Sequence, residues 1–98
     1  MKKHNFSAGP SILPQSVFEK ASQAVLDLDG MGLSILEISH RSKEFISIME
    51  RARALALELA GLTDKGYKAL FLQGGASLQF YASALNLLQS NQTNLPLS

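Results

Sequence analysis

The sequence predicts the α/β fold class, as an incomplete, helix-rich α/β domain with one recognisable strand. Apolar residues recur at helical spacing in three stretches, which predicts three helices. The short and almost wholly apolar run 67–72 is typical of a buried strand. A lone strand leaves both of its backbone edges unpaired, so we expect the other strands of the sheet beyond residue 98 or in another chain.

The first predicted helix follows an N-terminal arm. Residues 5–10 contain small side chains and a Gly-Pro break, so they are expected to form an extended arm or loop. Pro14 can begin a helix without losing a needed N–H group. Apolar residues recur at helical spacing from Val17 to Leu28, and Gly30 is placed to cap the helix end.

The second and third predicted helices lie on either side of the apolar run. Ser42 is placed as the N-cap of a long amphipathic helix that Gly61 closes. Ala76 or Ser77 opens the third helix, whose apolar side reaches Leu88. The remaining residues have no periodicity, so residues 1–88 are assigned to the domain and 89–98 to an irregular tail.

Composition narrows the class of protein. The chain is 46% hydrophobic and 17% charged, with a net charge of +1 and no cysteine. This charge balance gives no argument for a nucleic-acid or anionic membrane partner. No apolar stretch approaches bilayer length, and the basic N-terminus lacks the apolar segment of a secretory signal. We therefore expect a soluble, cytoplasmic protein.

The strongest local signal is Gln73-Gly74-Gly75-Ala76-Ser77, between the predicted strand and the third helix. The backbone N–H groups of Ala76 and Ser77, the Ser77 hydroxyl and the helix dipole would all favour an anion such as a phosphate. The alternative is a tight turn whose glycines serve packing alone. Neither a P-loop nor a G-x-G-x-x-G pattern is present, which indicates a different phosphate-bearing ligand.

Two further segments are candidate binding sites. Arg41, beside His40, offers a planar fork that matches a carboxylate or phosphate; the alternative is a solvated arginine paired with Glu37 or Glu44. The spacing of the two histidines predicts no metal site. The turn that begins at Ser7 could approach a small ligand, or the arm could only pack on a partner.

The order of these segments carries more information than any one of them. The residues are Asn-Phe-Ser-Ala-Gly-Pro at 5–10, Leu13-Pro14, Asp29-Gly30-Met31-Gly32, Glu37-Ile38-Ser39-His40-Arg41-Ser42-Lys43-Glu44-Phe45 and Phe71-Leu72-Gln73-Gly74-Gly75-Ala76-Ser77-Leu78-Gln79-Phe80. Over about residues 4–88 this order closely resembles the N-terminal part of the phosphoserine aminotransferase family. That family belongs to the class V pyridoxal-phosphate enzymes, so the resemblance implies an N-terminal portion of the aspartate-aminotransferase-like fold (fold type I).

The resemblance also implies roles for individual residues. Gly75, Ala76 and Ser77 occupy the positions that hold the phosphate of the cofactor, pyridoxal 5′-phosphate. Arg41 and His40 match the site that takes an acidic group of the substrate. Ala8 stands where many members have a second serine near the substrate carboxylate, so a side-chain role there is either lost or left to Ser7. Many members carry arginine where this chain has Ser77, so that cation is absent here.

The activity that the resemblance implies is the exchange of an amino group between phosphoserine and 2-oxoglutarate, which gives 3-phosphohydroxypyruvate and glutamate in serine biosynthesis. The resemblance implies a homodimer for the full-length enzyme. The lysine that forms the Schiff base lies outside this region, and none of the six lysines here has a suitable setting, so no catalytic residue is assigned. We expect the isolated chain to be inactive. The alternatives are a non-catalytic truncated product, an interaction piece or a general phosphate-binding module.

Overall fold

The structure is a computed structural model, and it describes residues Met1–Gln89. The described residues contain three helices: α1 (Gln15–Leu26), α2 (Lys43–Leu59) and α3 (Ala76–Leu87). The chain divides into two compact units, Met1–Leu55 and Ala56–Ser98, so the boundary falls within α2. The predicted tail at 89–98 lies outside the described residues, apart from Gln89.

Helix α1 begins as predicted but ends earlier. Pro14 precedes its first residue and accepts a hydrogen bond from the Val17 amide at 3.0 Å. The helix ends at Leu26, and Asp27 is already extended at φ −163° and ψ 119°. The prediction that Gly30 caps this helix is therefore wrong. The carboxylate of Asp27 instead accepts the Gly32 amide at 2.6 Å, which draws the chain into a separate turn.

That turn holds the buried residues of the first unit. The Leu28 amide donates to the Leu33 carbonyl at 2.7 Å, and the Leu28 side chain is only 6% exposed. Ser34 is also buried, and its amide donates to Glu37 Oε1 at 2.9 Å. The small core of this unit thus lies in the connection between α1 and α2.

Helix α2 has the two ends that the sequence predicts. Ser42 Oγ accepts the Phe45 amide at 3.2 Å, which is the hydrogen bond of an N-cap. At the other end, Gly61 has φ +69° and its amide donates to the Glu58 carbonyl, while the Leu62 amide donates to the Leu57 carbonyl. These two bonds form a Schellman motif, which satisfies carbonyl groups at the end of the helix.

The predicted strand at 67–72 is wrong. Residues 67–72 have no regular secondary structure, and no strand is present anywhere in the described part of the chain. A strand exists only when its backbone groups pair with a neighbouring strand. The described residues supply no such neighbour, so the apolar run stays irregular.

The apolar sides of the helices remain largely uncovered. None of the three helices carries a buried residue, and Leu70 and Leu72 of the apolar run are 70% and 66% exposed. Within residues 1–89, no helix combines the length and the apolar character that crossing a membrane would require. These residues also hold no cluster of three metal-ligating side chains.

Candidate functional site

The loop before α3 in the second unit is held in a conformation that requires glycine. Gly74 has φ +98°, in the left-handed region that favours glycine. A Cβ atom added there would overlap the Leu78 side chain, with Leu78 Cβ at 3.0 Å. The loop therefore folds back against its own helix, and a side chain at position 74 would require Leu78 or the loop to move.

The first turn of α3 presents hydrogen-bond donors. Gly75 is the N-cap at φ −92° and ψ −168°, and no side chain caps the helix. The first helical bond that involves this cap runs from the Gln79 amide to the Gly75 carbonyl at 3.1 Å. The amides of Ala76 and Ser77 precede it, so they have no partner within the helix. This turn contains no acidic residue that would repel an anion.

Gln79, in α3, contacts this loop in a way that the sequence reasoning missed. Its Nε2 atom donates to the Gln73 carbonyl at 3.0 Å, and its side chain is partly buried. The bond joins the start of the loop to the first turn of α3. A glutamine six residues after Gln73 is not a recognisable sequence motif, because this contact depends on the folded path of the loop.

These donors suit the phosphate end of a cofactor. Backbone N–H groups, a helix N-terminus and a first helical turn without an acidic residue together favour a phosphate. The donor set is therefore compatible with the phosphate of pyridoxal phosphate. The lysines give no matching site for its aldehyde, because all six of them are exposed.

In the first unit, His40 and Arg41 occupy the turn that leads into α2. Ser39 shapes this turn, since its hydroxyl accepts the Arg41 amide at 3.1 Å and its carbonyl accepts the Ser42 amide at 3.0 Å. Both candidate side chains are exposed. Within residues 1–89 the Arg41 guanidinium makes no ion pair, and the carboxylate of Glu37 accepts the Ser34 amide instead. The alternative in which Arg41 pairs with Glu37 or Glu44 is therefore not what the described structure shows.

The N-terminal arm of the first unit is organised by Asn5. Asn5 Nδ2 donates to the Pro10 carbonyl at 2.8 Å, and Asn5 Oδ1 accepts both the amide and the hydroxyl of Ser7, at 3.0 Å and 2.7 Å. The Asn5 carbonyl accepts the Ile12 amide and the Ser11 hydroxyl. Ser7 is exposed, but its hydroxyl already has a partner. The sequence reasoning missed Asn5, although an asparagine side chain commonly accepts the backbone N–H group two residues ahead in a turn.

The cavities of the first unit lie elsewhere. An open depression of about 350 Å³ is lined by Leu28, Met31, Ile48 and four neighbouring residues. Neither this depression nor a second one along α1 is lined by Ser7, His40 or Arg41. The candidate residues of this unit thus lie on open surface.

Comparison with known proteins identifies close relatives. The family model described as aminotransferase class-V matches residues 3–95. The chain is 68% identical over 91 residues to a phosphoserine aminotransferase of Flavobacterium johnsoniae, which covers 93% of this chain and 26% of the relative. It is 55% identical over 95 residues to a phosphoserine aminotransferase of Phocaeicola vulgatus, with 97% of this chain and 26% of the relative covered.

Solved structures agree with these sequence matches. The phosphoserine aminotransferase of Bacillus circulans subsp. alkalophilus superimposes with a TM-score of 0.80 at 43% identity, over 90% of this chain and 24% of that one. A phosphoserine aminotransferase studied for radiation damage of its Schiff base gives a TM-score of 0.81 at 41% identity, over 92% of this chain and 25% of that one. The chain thus spans about a quarter of the length of the relatives that it matches.

Proposed function

We propose that this chain, which belongs to the class-V aminotransferase family, is the N-terminal part of a phosphoserine aminotransferase. The reaction would exchange an amino group between phosphoserine and 2-oxoglutarate. One observation carries this proposal, namely the 68% identity to the Flavobacterium johnsoniae enzyme over 93% of the chain. The solved structures at 43% and 41% identity support it independently.

The loop before α3 is proposed to hold the phosphate of pyridoxal 5′-phosphate. Gly75, Ala76 and Ser77 would donate their backbone N–H groups to the phosphate oxygens, and the dipole of α3 would add to the attraction. Gly74 permits this geometry because it accepts the left-handed conformation beside Leu78. When bound, the cofactor would supply the electron sink that stabilises negative charge at the substrate α-carbon.

Arg41, His40 and Ser7 are the proposed substrate-binding residues. The Arg41 guanidinium is exposed and has no ion pair within residues 1–89, so it is free to take a carboxylate or phosphate in two parallel hydrogen bonds. His40 would add a donor beside it. Ser77 keeps the backbone donors but brings no cation to a substrate phosphate, so charge recognition depends on Arg41 in this part of the enzyme.

The proton transfer at the substrate α-carbon is assigned to a group outside this chain. All six lysines are exposed, so none of them lies in an enclosed site that could exclude water from the reacting atoms. The chain's own contribution is therefore binding and orientation. A homodimer remains a prediction of the family resemblance, and a cytoplasmic location remains a prediction of the composition and the N-terminal sequence.

A segment exchange tests the proposal. The 91 matched residues of the Flavobacterium johnsoniae enzyme would be replaced by those of this chain, and glutamate formation from phosphoserine and 2-oxoglutarate would be measured. We expect turnover within about tenfold of the parent enzyme. Small packing differences at the new junctions could raise the activation free energy by about 1.4 kcal/mol, which slows the reaction about tenfold. The same enzyme with the segment deleted is the control. A folded exchange protein that binds the cofactor but shows no turnover would favour a non-catalytic role instead.

A further inference from the structure

The loop before α3 is held by two neighbouring residues in the first turns of that helix. Gln79 Nε2 donates to the Gln73 carbonyl at 3.0 Å. Because a carbonyl can only accept, this bond also settles the orientation of the Gln79 side-chain amide. The Leu78 side chain lies against Gly74, where it would meet an added Cβ atom. Side chains of a helix lean towards its N-terminus, so both residues can reach back to the loop.

Gln79 provides donors to two carbonyl groups of the loop. Its backbone amide donates to the Gly75 carbonyl at 3.1 Å, which is the ordinary bond of a helix. The Gln73 carbonyl lies two residues before the N-cap and outside the helical pattern, and it receives the side-chain amide instead. An oxygen that already faces a donor repels an anion less than one that faces the anion. The side-chain bond therefore lowers the electrostatic cost of placing a phosphate beside Ala76 and Ser77.

The exposure of the loop makes this bond important. Residues 73–77 are all exposed, whereas Gln79 is partly buried. A glycine-containing loop that is free to move loses more conformational entropy on binding a ligand than a loop that is already ordered. We propose that Gln79 is a positioning residue, which holds the Gln73 carbonyl and thereby pre-organises the loop for the phosphate of the cofactor. The proposal rests on the proposed transaminase function, and it assigns Gln79 to the loop and not to the ligand itself.

In the segment-exchanged enzyme, stripped of cofactor, Gln79→Met removes the donor and keeps an unbranched side chain of similar length that favours a helix. The Kd for pyridoxal phosphate should rise about fivefold to tenfold, as for one lost hydrogen bond, and the Kd for phosphate-free pyridoxal should change less than about twofold. Absorbance titrations measure both values. Gln23→Met, at an exposed glutamine of α1, is the matched control and should change neither.

Amide hydrogen exchange of the cofactor-free enzyme gives a second readout, which involves no ligand. Gln79→Met should make the amides of residues 74–77 exchange at least about threefold faster and leave those of α1 unchanged. Should this variant not fold, Gln79→Glu gives the same exchange test, because an ionised carboxylate of the same length cannot donate. Equal losses of affinity for the two cofactor forms, or unchanged exchange of the loop, would overturn the proposal. A folded exchange protein that does not bind pyridoxal phosphate before any substitution would instead count against the proposed function itself.

Discussion

Arg41, the proposed substrate-binding residue, has a side chain that contributes little to the fold of residues 1–89. Its guanidinium is exposed and makes no ion pair within residues 1–89, and only its backbone amide takes part in the turn, through Ser39 Oγ. Removing the planar fork should therefore affect a ligand and not the stability of the protein. This property makes Arg41 the sharpest site for a substitution.

In the segment-exchanged enzyme, Arg41→Lys should raise the KM for phosphoserine at least about tenfold, because lysine keeps the charge but loses the second parallel hydrogen bond. The Tm should stay within about one degree of the parent, since exposed substitutions rarely change stability. Steady-state kinetics and a thermal melt give both values. Arg51→Lys, an exposed arginine of α2, is the control. An unchanged KM would remove Arg41 from the substrate site.

A substitution of the single residue Gly74 tests the proposed phosphate loop. Gly74→Ala adds a left-handed strain of about 1–2 kcal/mol and an overlap with Leu78, so the loop must move. Gly66→Ala meets a similar φ, +79°, with nothing within 4 Å, and isolates the strain alone. We expect Gly74→Ala to weaken the binding of pyridoxal phosphate at least about tenfold and the binding of phosphate-free pyridoxal much less.

Absorbance titrations of the segment-exchanged enzyme with the two cofactor forms would measure this difference. Gly66→Ala should leave both affinities near those of the parent, because it lies outside the loop. If Gly74→Ala weakened pyridoxal and pyridoxal phosphate equally, the loop would not be the phosphate site.

The helices show how far local sequence determines an element. Both ends of α2 follow from residues within a few positions of the helix, namely Ser42 at its start and Gly61 at its end. The end of α1 was harder to predict because the Asp27 carboxylate reaches five residues ahead to Gly32. The strand at 67–72 was wrong because strand pairing needs a distant segment, and a pattern of apolar residues cannot supply one.

In the candidate site, too, some features follow from local sequence and others depend on the folded path of the chain. The glycine-rich loop and the start of α3 are local features, and the sequence places them correctly. The contact from Gln79 to the Gln73 carbonyl and the five hydrogen bonds of Asn5 depend on how the backbone turns back on itself. Such contacts appear only when the path of the chain is known.

Ser42 gives a prediction at the scale of the element. Ser42→Ala removes the acceptor of the Phe45 amide and should cost α2 about 1 kcal/mol. In the isolated chain this appears as a smaller helical signal at 222 nm in circular dichroism. Ser47→Ala, an exposed position within the same helix, should keep or increase the signal because alanine is the better helix former. Equal effects of the two substitutions would show that Ser42 does not cap the helix in solution.

At the scale of the whole molecule, apolar surface is the dominant feature. Leu28 is the one buried hydrophobic residue found within residues 1–89, while large apolar side chains on all three helices are exposed. Successive side chains of an extended segment point to opposite faces, so the apolar run 67–72 is suited to burial on both faces. Folding driven by burial has little to gain in the described residues alone.

We therefore expect the isolated chain to bind the dye ANS and to melt without a cooperative transition, because little apolar surface is buried. Adding the remaining part of the Flavobacterium johnsoniae enzyme as a separate polypeptide should reduce the dye fluorescence and produce a cooperative melt by calorimetry. Leu70→Asp should weaken this recovery, because it places a charge where burial is expected, whereas Thr63→Asp in the turn after α2 should not. A cooperative melt of the chain alone would contradict the argument, since it would require a core that the exposed side chains do not provide.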